Sequence, residues 1–156
     1  MGAVKPFQRF LDEQRDVVWR YLLAAVGRDD ADDLFQETFM AAMRAYPRAP
    51  IANERAWVLT IAQRKATDHF RARARRAVPL GELPETPVTD GRPVLEEPTW
   101  AAVRDLPHKQ RAAVTLRFAG DLRHGEIAAA LGISEDAARR NVHEGLKALR
   151  AKGVAA

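Results

Sequence analysis

The sequence contains no cysteine, and its four histidines are scattered along the chain. Without thiolates, disulfides and cysteine metal sites are excluded, and a reducing compartment is favoured. The sequence has no Ser/His/Asp grouping, no histidine-rich metal spacing and no glycine-rich phosphate loop. We therefore predict that the protein is not an enzyme and needs no metal or cofactor. No apolar run approaches the roughly 20 residues of a membrane span, and the first residues lack a signal-peptide core, so we expect a cytoplasmic protein with no membrane partner.

The chain does carry a net charge of +4, and this charge is unevenly distributed. Residues 1–76 hold 14 Lys and Arg against 10 Asp and Glu, and residues 100–156 hold 10 against 6, whereas residues 77–99 hold 1 against 5. The middle segment also contains five of the nine prolines, which disfavour a helix or a central strand. The distribution predicts two basic units joined by an acidic, Pro-rich extended linker, and it favours an anionic partner.

The most informative segment is residues 106–150, because its centre has the pattern of a helix, a glycine turn and a second helix. Gly132 follows a helically spaced apolar run, at a position where a left-handed residue ends a helix, and Ser134 is placed to cap the next helix. That second helix has an apolar face of Ala138, Val142, Leu146 and Leu149 and a polar face of Arg139, Arg140, Asn141, His143, Lys147 and Arg150. The layout is typical of a helix-turn-helix and predicts DNA binding. The alternative is a helical hairpin that serves only as scaffold.

Three helices are predicted in the N-terminal part. The first covers residues 6–26, the second follows Asp29 and Asp30, either of which can cap it, and stops before Pro47, and the third is capped by Asn53 and runs to about Arg76. Their apolar positions include Phe7, Phe10, Leu11, Val18, Tyr21, Leu22 and Ala25 in the first helix; Phe35, Thr38, Phe39, Ala42, Met43 and Tyr46 in the second; and Trp57, Val58, Ile61, Ala62, Ala66 and Phe70 in the third. Three helices with an apolar seam predict a small bundle.

Two clusters of charge lie on this bundle. Five acids between residues 29 and 37 surround the start of the second helix, where they can serve as helix N-terminal acids, as a divalent metal site or as a docking surface for a basic partner. The third helix ends in four arginines between residues 71 and 76. These arginines are either a solvated tail or contacts to phosphate, and the aromatic residues on the same helix favour phosphate.

Taken together, these motifs resemble bacterial RNA polymerase sigma factors of the extracytoplasmic-function (ECF) type, over nearly the whole chain. Residues 32–39 match the D-D/E-L-x-Q-E-x-F signature of sigma region 2, and residues 56–71 match the rest of that region. Residues 106–117, 126–134 and 146–150 match sigma region 4. The resemblance implies an all-α protein: a three- to four-helix region 2 bundle over residues 1–76, the linker over 77–99, and a region 4 helix-turn-helix over 100–152.

The resemblance also implies three binding surfaces. Docking on the clamp helices of the largest polymerase subunit would use Asp32, Asp33, Leu34, Gln36, Glu37 and Phe39. Capture of the unwound minus-10 strand would use Asn53, Trp57, Arg64, Lys65, Asp68, His69, Arg71, Arg73, Arg75 and Arg76. Reading of the minus-35 element would use Arg123, Ser134, Arg139, Arg140, Asn141, His143 and Lys147. The polymerase flap and an anti-sigma factor are further implied partners, and the linker would run toward the RNA exit path.

Some positions depart from the family pattern, and one other protein class fits part of the chain. Gln63-Arg64 replaces the common Arg-Asn, and residues 136–141 replace Gly-Thr-Val-Lys-Ser-Arg at the start of the recognition helix. Gly145 within that helix indicates close backbone packing or a looser helix end. The alternative function is a stand-alone helix-turn-helix transcriptional regulator. The terminal Ala155-Ala156 resembles a signal for ATP-dependent proteases, with a frayed terminus as the other interpretation.

Overall fold

The computed structural model describes residues 3–76 and 97–154, and within those ranges all regular structure is α-helical. The seven helices found there are α1 (Phe7–Val26), α2 (Arg28–Ala45), α3 (Glu54–Arg76), α4 (Glu97–Arg104), α5 (His108–Phe118), α6 (His124–Leu131) and α7 (Glu135–Ala151). The predicted all-α class is confirmed. In the described ranges, no helix is both long enough and apolar enough to cross a membrane.

Most of the segment assigned to the linker lies outside the described residues, as does the Ala155-Ala156 terminus. Residues 97–99, predicted to belong to the extended linker, instead form the first turn of α4. A proline at position 98 is compatible with a first helical turn, because the N–H groups there have no intrahelical acceptor to lose.

Helices α1 to α3 begin and end close to the predicted positions, with one difference at the start of α2. Gly27, with a φ of 84°, separates α1 from α2 and occupies the N-cap position. The prediction that Asp29 or Asp30 caps α2 is therefore wrong, because both residues lie inside its first turn. There they still stabilise the helix, since carboxylates are favoured near the positive end of the helix dipole.

The core of the N-terminal bundle is organised around Phe10, which is fully buried. Its ring centroid lies 5.7 Å from that of Phe7, 6.5 Å from that of Phe39, 5.4 Å from that of Tyr46 and 5.5 Å from that of Trp57. These separations lie in the range of favourable aromatic pairs. The cluster joins α1 to the end of α2 and the start of α3, so it fixes both ends of the loop between α2 and α3.

The helix-turn-helix has the geometry that its sequence predicts. Gly132 adopts a left-handed conformation with φ 67° and ψ 37°, and Ile133 N–H donates to the carbonyl of Ala128 at 3.0 Å. The Ser134 hydroxyl accepts a hydrogen bond from the backbone N–H of Ala137 at 3.0 Å. The predicted turn and the predicted N-cap are both confirmed.

Helices α5 and α7 approach each other closely at Gly145. A Cβ atom at this position would lie 2.6 Å from Cγ2 of Val114, so even a methyl group has no room unless the helices move. Helix α7 continues beyond this point to Ala151. Of the two interpretations of Gly145, the structure therefore supports close backbone packing.

The N-terminal half (residues 3–76) and the C-terminal half (residues 97–154) pack directly against each other. Leu59 of α3 is fully buried, and its Cδ1 atom lies 3.0 Å from the position that a Cβ on Gly120 would occupy. Leu116 and Leu122 are buried on the C-terminal side, and one hydrophobic cluster runs through both halves. The charge distribution in the sequence predicts two units but does not predict their contact.

Two arginines add polar contacts across this interface. The Arg20 Nε donates to the carbonyl of Ala119 at 3.2 Å. The Arg104 guanidinium donates to the carbonyls of Leu23 and Ala24 at 3.0 and 3.1 Å. Since these carbonyls belong to the last turn of α1, Arg104 places a positive charge at the negative end of that helix.

Candidate functional site

Helix α2 carries an exposed acidic face made of Asp32, Asp33, Gln36 and Glu37. Residues spaced three and four apart lie on the same side of a helix, so these side chains form one surface. Carboxylates concentrated on one surface attract cationic partners. This acidic face is the first candidate binding surface.

Leu34 and Phe39, two of the six residues assigned to polymerase docking, are not part of this surface. Their exposed fractions are 6% and 5%, and both belong to the hydrophobic core of the bundle. Because both side chains are buried, they hold α2 against the rest of the bundle beneath the acidic face. The motif that identified the family mixes surface and core residues.

Two methionines extend the acidic face along α2. Met40 and Met43 have exposed fractions of 50% and 58%, so the assignment of Met43 to the apolar seam is wrong. Exposed apolar side chains beside charged ones are typical of binding surfaces, and methionine adapts readily to a partner. In the sequence, Met40 and Met43 follow Glu37 at intervals of three residues, and this spacing is the signal that they continue the surface of Glu37 along the helix.

Asp30 belongs to the acidic cluster, but its carboxylate is only partly exposed and contacts side chains of α3. One of its carboxylate oxygens lies 3.3 Å from His69 Nε2 and 3.7 Å from a terminal nitrogen of Arg73. These contacts tie the first turn of α2 to the arginine-rich end of α3.

In the described ranges, no group of three or more His, Asp or Glu side chains is arranged to hold a metal ion.

Asn53 immediately precedes α3 and Trp57 lies in its first turn, and both are predicted to bind the minus-10 strand. The Asn53 side-chain oxygen accepts from the backbone N–H of Ala56 at 3.0 Å, which confirms its predicted role as N-cap. Trp57 is half-buried, and its ring packs edge-on against Phe10 and Tyr46. Only part of this indole is available to a partner.

The rest of α3 presents a mostly cationic surface to solvent. Lys65 and His69 are half-buried, and the exposed members of the predicted minus-10 set are Arg64, Asp68, Arg71, Arg73, Arg75 and Arg76. Cations spread along one helix are suited to binding a phosphate backbone.

A groove of about 440 Å³ is lined by residues of both α3 and the C-terminal half. Its walls include Arg64, Asp68 and Arg71 of α3 and Asn141 of α7. Members of the predicted minus-10 and minus-35 sets therefore line the same groove.

The groove is electropositive at His108. Burial lowers the pKa of this histidine, and the nearby charges of Arg111, Arg71 and Lys109 lower it further. Burial first, and these cations in addition, therefore disfavour the protonated form of His108.

Two side-chain contacts join α3 and its N-cap residue to the C-terminal half. The Asn53 amide nitrogen donates to Oε2 of Glu126 on α6. The Arg111 guanidinium carbon lies 3.8 Å from the centre of the Phe70 ring, which is a cation–π arrangement. Neither contact is predictable from a local pattern, because each joins residues far apart in the chain.

The outer face of α7 is largely open to solvent. Arg140, His143 and Lys147 are exposed, as is Arg123 at the start of α6. Arg139 is also exposed, but it pairs with Glu135 at 3.3 Å and Asp136 at 3.4 Å. Ser134 uses its hydroxyl to cap α7, so its part in this surface is to orient the helix.

Comparison with known families matches each half separately. The sigma-70 region 2 family matches residues 10–76, and the sigma-70 region 4 family matches residues 97–149. Together these matches cover more than half of the chain and correspond to the two packed halves.

Individual proteins give the same result. The ECF RNA polymerase sigma factor BldN of Streptomyces coelicolor is 33% identical, over 95% of this chain and 60% of BldN, so the chain spans less than two thirds of that relative. SigC, an ECF RNA polymerase sigma factor of Mycobacterium tuberculosis, is 31% identical, over 96% of this chain and 84% of SigC. Among solved structures, the sigma factor RpoE in complex with the anti-sigma factor NepR, from Bartonella quintana, has a TM-score of 0.74 and 23% identity, over 94% of this chain and 96% of that one. The fold is thus shared across the chain, and this protein belongs to the ECF sigma factors of the sigma-70 family, with regions 2 and 4.

Proposed function

We propose that this chain binds core RNA polymerase and directs it to promoters through three surfaces. The acidic face of α2 docks on the polymerase, α3 with the loop before it captures the unwound minus-10 strand, and the outer face of α7 enters the minus-35 major groove. The protein acts by binding alone, in the cytoplasm, where the polymerase works. An anti-sigma factor and an ATP-dependent protease are further proposed partners.

The observation that carries this proposal is the separation of charge between helices of one small chain. Carboxylates cluster on α2, whereas the exposed cations cluster on α3 and α7. Carboxylates repel DNA and suit a basic protein surface, while arginines on a helix neutralise phosphates and reach base edges. One face for a protein and two faces for DNA are what a promoter-specificity factor requires.

Run-off transcription tests the proposal. We expect the purified chain, added to core polymerase on genomic DNA fragments, to yield discrete transcripts that core polymerase alone does not make. A stand-alone regulator would behave differently, since it would bind duplex promoter DNA without polymerase. Tight duplex binding by the free chain, together with no new transcripts, would support that class and contradict the proposal.

Arg139→Ala is expected to relax sequence preference in the minus-35 element. A bidentate contact from arginine to guanine contributes about 1–3 kcal/mol of discrimination, and the loss also leaves Glu135 and Asp136 without their partner near the DNA. The measurement is promoter selection from a library randomised upstream. Arg150→Ala, at the exposed end of the same helix, is the control, and an unchanged promoter profile for Arg139→Ala would remove this residue from the proposed readers.

A further inference from the structure

Lys5 lies in the short segment before α1 (residues 3–6) and contacts three parts of the N-terminal bundle. Its Nζ donates to Oε2 of Glu13 on α1 at 2.5 Å, and it lies 2.9 and 3.0 Å from the two carboxylate oxygens of Glu54. Its backbone carbonyl accepts from the hydroxyl of Tyr46 at 2.6 Å. Tyr46 directly follows α2, and Glu54 is the first residue of α3. One residue therefore joins both ends of the loop between these helices.

The ammonium of Lys5 is well occupied by its two carboxylate partners. The side chains of Lys5 and Glu54 have exposed fractions of only 26% and 22%. Hydrogen bonds to Glu13 and then to Glu54 raise the pKa of Lys5, so the charged form is favoured further. Partly buried pairs are screened by salt less than exposed ones. The contacts of Lys5 are therefore stronger than those of an ordinary surface lysine.

Tyr46 and Glu54 are themselves held by α1. The Tyr46 ring packs edge-on against Phe7, with centroids 5.2 Å apart, and lies 5.4 Å from the ring of Phe10. This packing fixes the direction in which its hydroxyl points. On the other side of the loop, the Gln14 amide donates to Oε2 of Glu54 at 3.4 Å. Lys5 thus completes a frame in which α1 holds both ends of the loop.

The loop inside this frame is mostly open to solvent. Residues 47–53 contain no helix, and Arg48, Ala49, Pro50, Ala52 and Asn53 are exposed. This loop belongs to the surface proposed above to capture the unwound minus-10 strand. A loop that is free to move loses conformational entropy when it binds, whereas a loop with fixed ends has already lost part of it. Fixed ends therefore favour binding of the strand.

We infer that Lys5 is a positioning residue for capture of the minus-10 strand, which holds the loop between α2 and α3 in its binding conformation. The inference rests on the proposed function and adds a residue that lies outside residues 10–76, the part matched by the region 2 family. The usual role of a lysine beside DNA is a direct contact to phosphate. Lys5 acts instead through the loop, because its ammonium is already paired with two carboxylates.

Lys5→Gln tests the inference, because it removes the ammonium and releases the start of α3 from the segment before α1. The test uses the complex of the full chain with core polymerase and a fluorescent single strand that carries the minus-10 element of a promoter recovered by run-off. We expect this complex to bind the strand about tenfold more weakly than the unaltered complex does, since the loop must then be ordered on binding. Fluorescence anisotropy measures the dissociation constant.

Two further readouts separate positioning from a general structural role. We expect Lys5→Gln to leave the affinity for core polymerase and the thermal midpoint nearly unchanged, because the acidic face of α2 and the buried core do not include Lys5. A residue that merely supports the fold would affect both quantities together with strand binding. A parallel loss of all three would overturn the inference.

Arg9→Gln is the matched control for charge. Arg9 is exposed and pairs with Glu13 at 3.1 Å, so it shares a carboxylate partner with Lys5 one turn along α1. The substitution removes the same charge and breaks a pair with the same carboxylate. We expect strand binding to change less than about twofold, as for a single exposed charge in physiological salt. Equal weakening by Arg9→Gln and Lys5→Gln would assign the effect to net charge and overturn the inference.

Tyr46→Phe tests the other end of the loop without any change of charge. It removes only the hydroxyl that donates to the Lys5 carbonyl, and the ring can stay in the aromatic cluster. We expect strand binding about threefold weaker, because one neutral hydrogen bond contributes less than charge-assisted bonds to two carboxylates. Unchanged binding would mean that Lys5 does not act through this end of the loop, and would contradict the inference.

The results distinguish failure of the inference from failure of the proposed function. If the unaltered chain yields no transcripts with core polymerase, the proposed function fails, and the inference fails with it. If transcripts form and Lys5→Gln binds the single strand as tightly as the unaltered chain does, only the inference fails. Transcripts together with weaker strand binding by Lys5→Gln and Tyr46→Phe, but not by Arg9→Gln, support both.

Discussion

Replacing Asp32, Asp33 and Glu37 together with alanine is expected to weaken binding to core RNA polymerase about 100-fold, which corresponds to about 2.8 kcal/mol. All three side chains are exposed on α2, so their loss removes attraction to a cationic partner without opening a cavity. The measurement is the dissociation constant for core polymerase, obtained by titration of a labelled chain. Co-purification with core polymerase gives a second readout.

The fold should survive this triple substitution. Alanine is the best helix former, and the three acids lie beyond the first turn of α2, where the helix dipole has little effect. Asp29 and Asp30 remain in that first turn. We therefore expect the thermal midpoint to change by no more than a few degrees, and a large fall would mean that weaker binding reflects unfolding.

A second triple variant controls for net charge. This variant carries alanine at Asp12, Asp16 and Glu144, all of which are exposed on α1 or α7. Like the first variant, it loses three negative charges, so its formal net charge rises from +4 to +7. If the acidic face is the docking site, the control keeps its affinity for polymerase. Equal weakening by both triples would assign the effect to overall charge and contradict the docking proposal.

Local signals in the sequence predicted the helix-turn-helix accurately. Gly132 and Ser134 determine the turn and the cap through their own backbone and side-chain chemistry, and neither depends on a distant partner. The close approach at Gly145 was also visible as a glycine inside a helix. Features of this kind can be derived from a few neighbouring residues.

Local signals could not predict which side chains become buried where the two halves pack together. Leu59 and Gln63 lie next to the predicted apolar stripe of α3 and are both buried, and Leu59 packs against Gly120 of the C-terminal half. Helical periodicity identifies one buried face and does not show that a second face meets another unit of the chain. The contact between Asn53 and Glu126 joins residues 73 positions apart, so no local pattern could predict it.

The family motif on α2 likewise did not predict which of its residues are buried and which are exposed. A sequence signature records which residues occur together, whereas the direction in which each side chain points follows from the helix. Leu34 and Phe39 point into the core, and Met40 and Met43 point outward. The proposed docking surface therefore lacks Leu34 and Phe39, which the motif includes, and gains Met40 and Met43, which it does not.

Phe10→Ala is expected to destabilise the protein by about 3–5 kcal/mol, the range for truncating a buried phenylalanine. Phe10 is fully buried at the centre of the aromatic cluster, so a cavity would open between the ends of α2 and α3. Thermal unfolding measures the effect, and each kcal/mol lowers the midpoint by about 2–4 °C in a chain of this size.

The same substitution at Phe118 separates burial from side-chain chemistry. Phe118 has an exposed fraction of 53%, and exposed substitutions usually change stability by less than about 0.5 kcal/mol. We therefore expect Phe118→Ala to unfold at nearly the same temperature as the unaltered chain. Similar losses at both positions would contradict the assignment of Phe10 as the centre of the core. Because Tyr46 and Trp57 pack on Phe10 and flank the loop before α3, Phe10→Ala should also weaken minus-10 strand capture at temperatures where the variant remains folded, an effect that Phe118→Ala should lack.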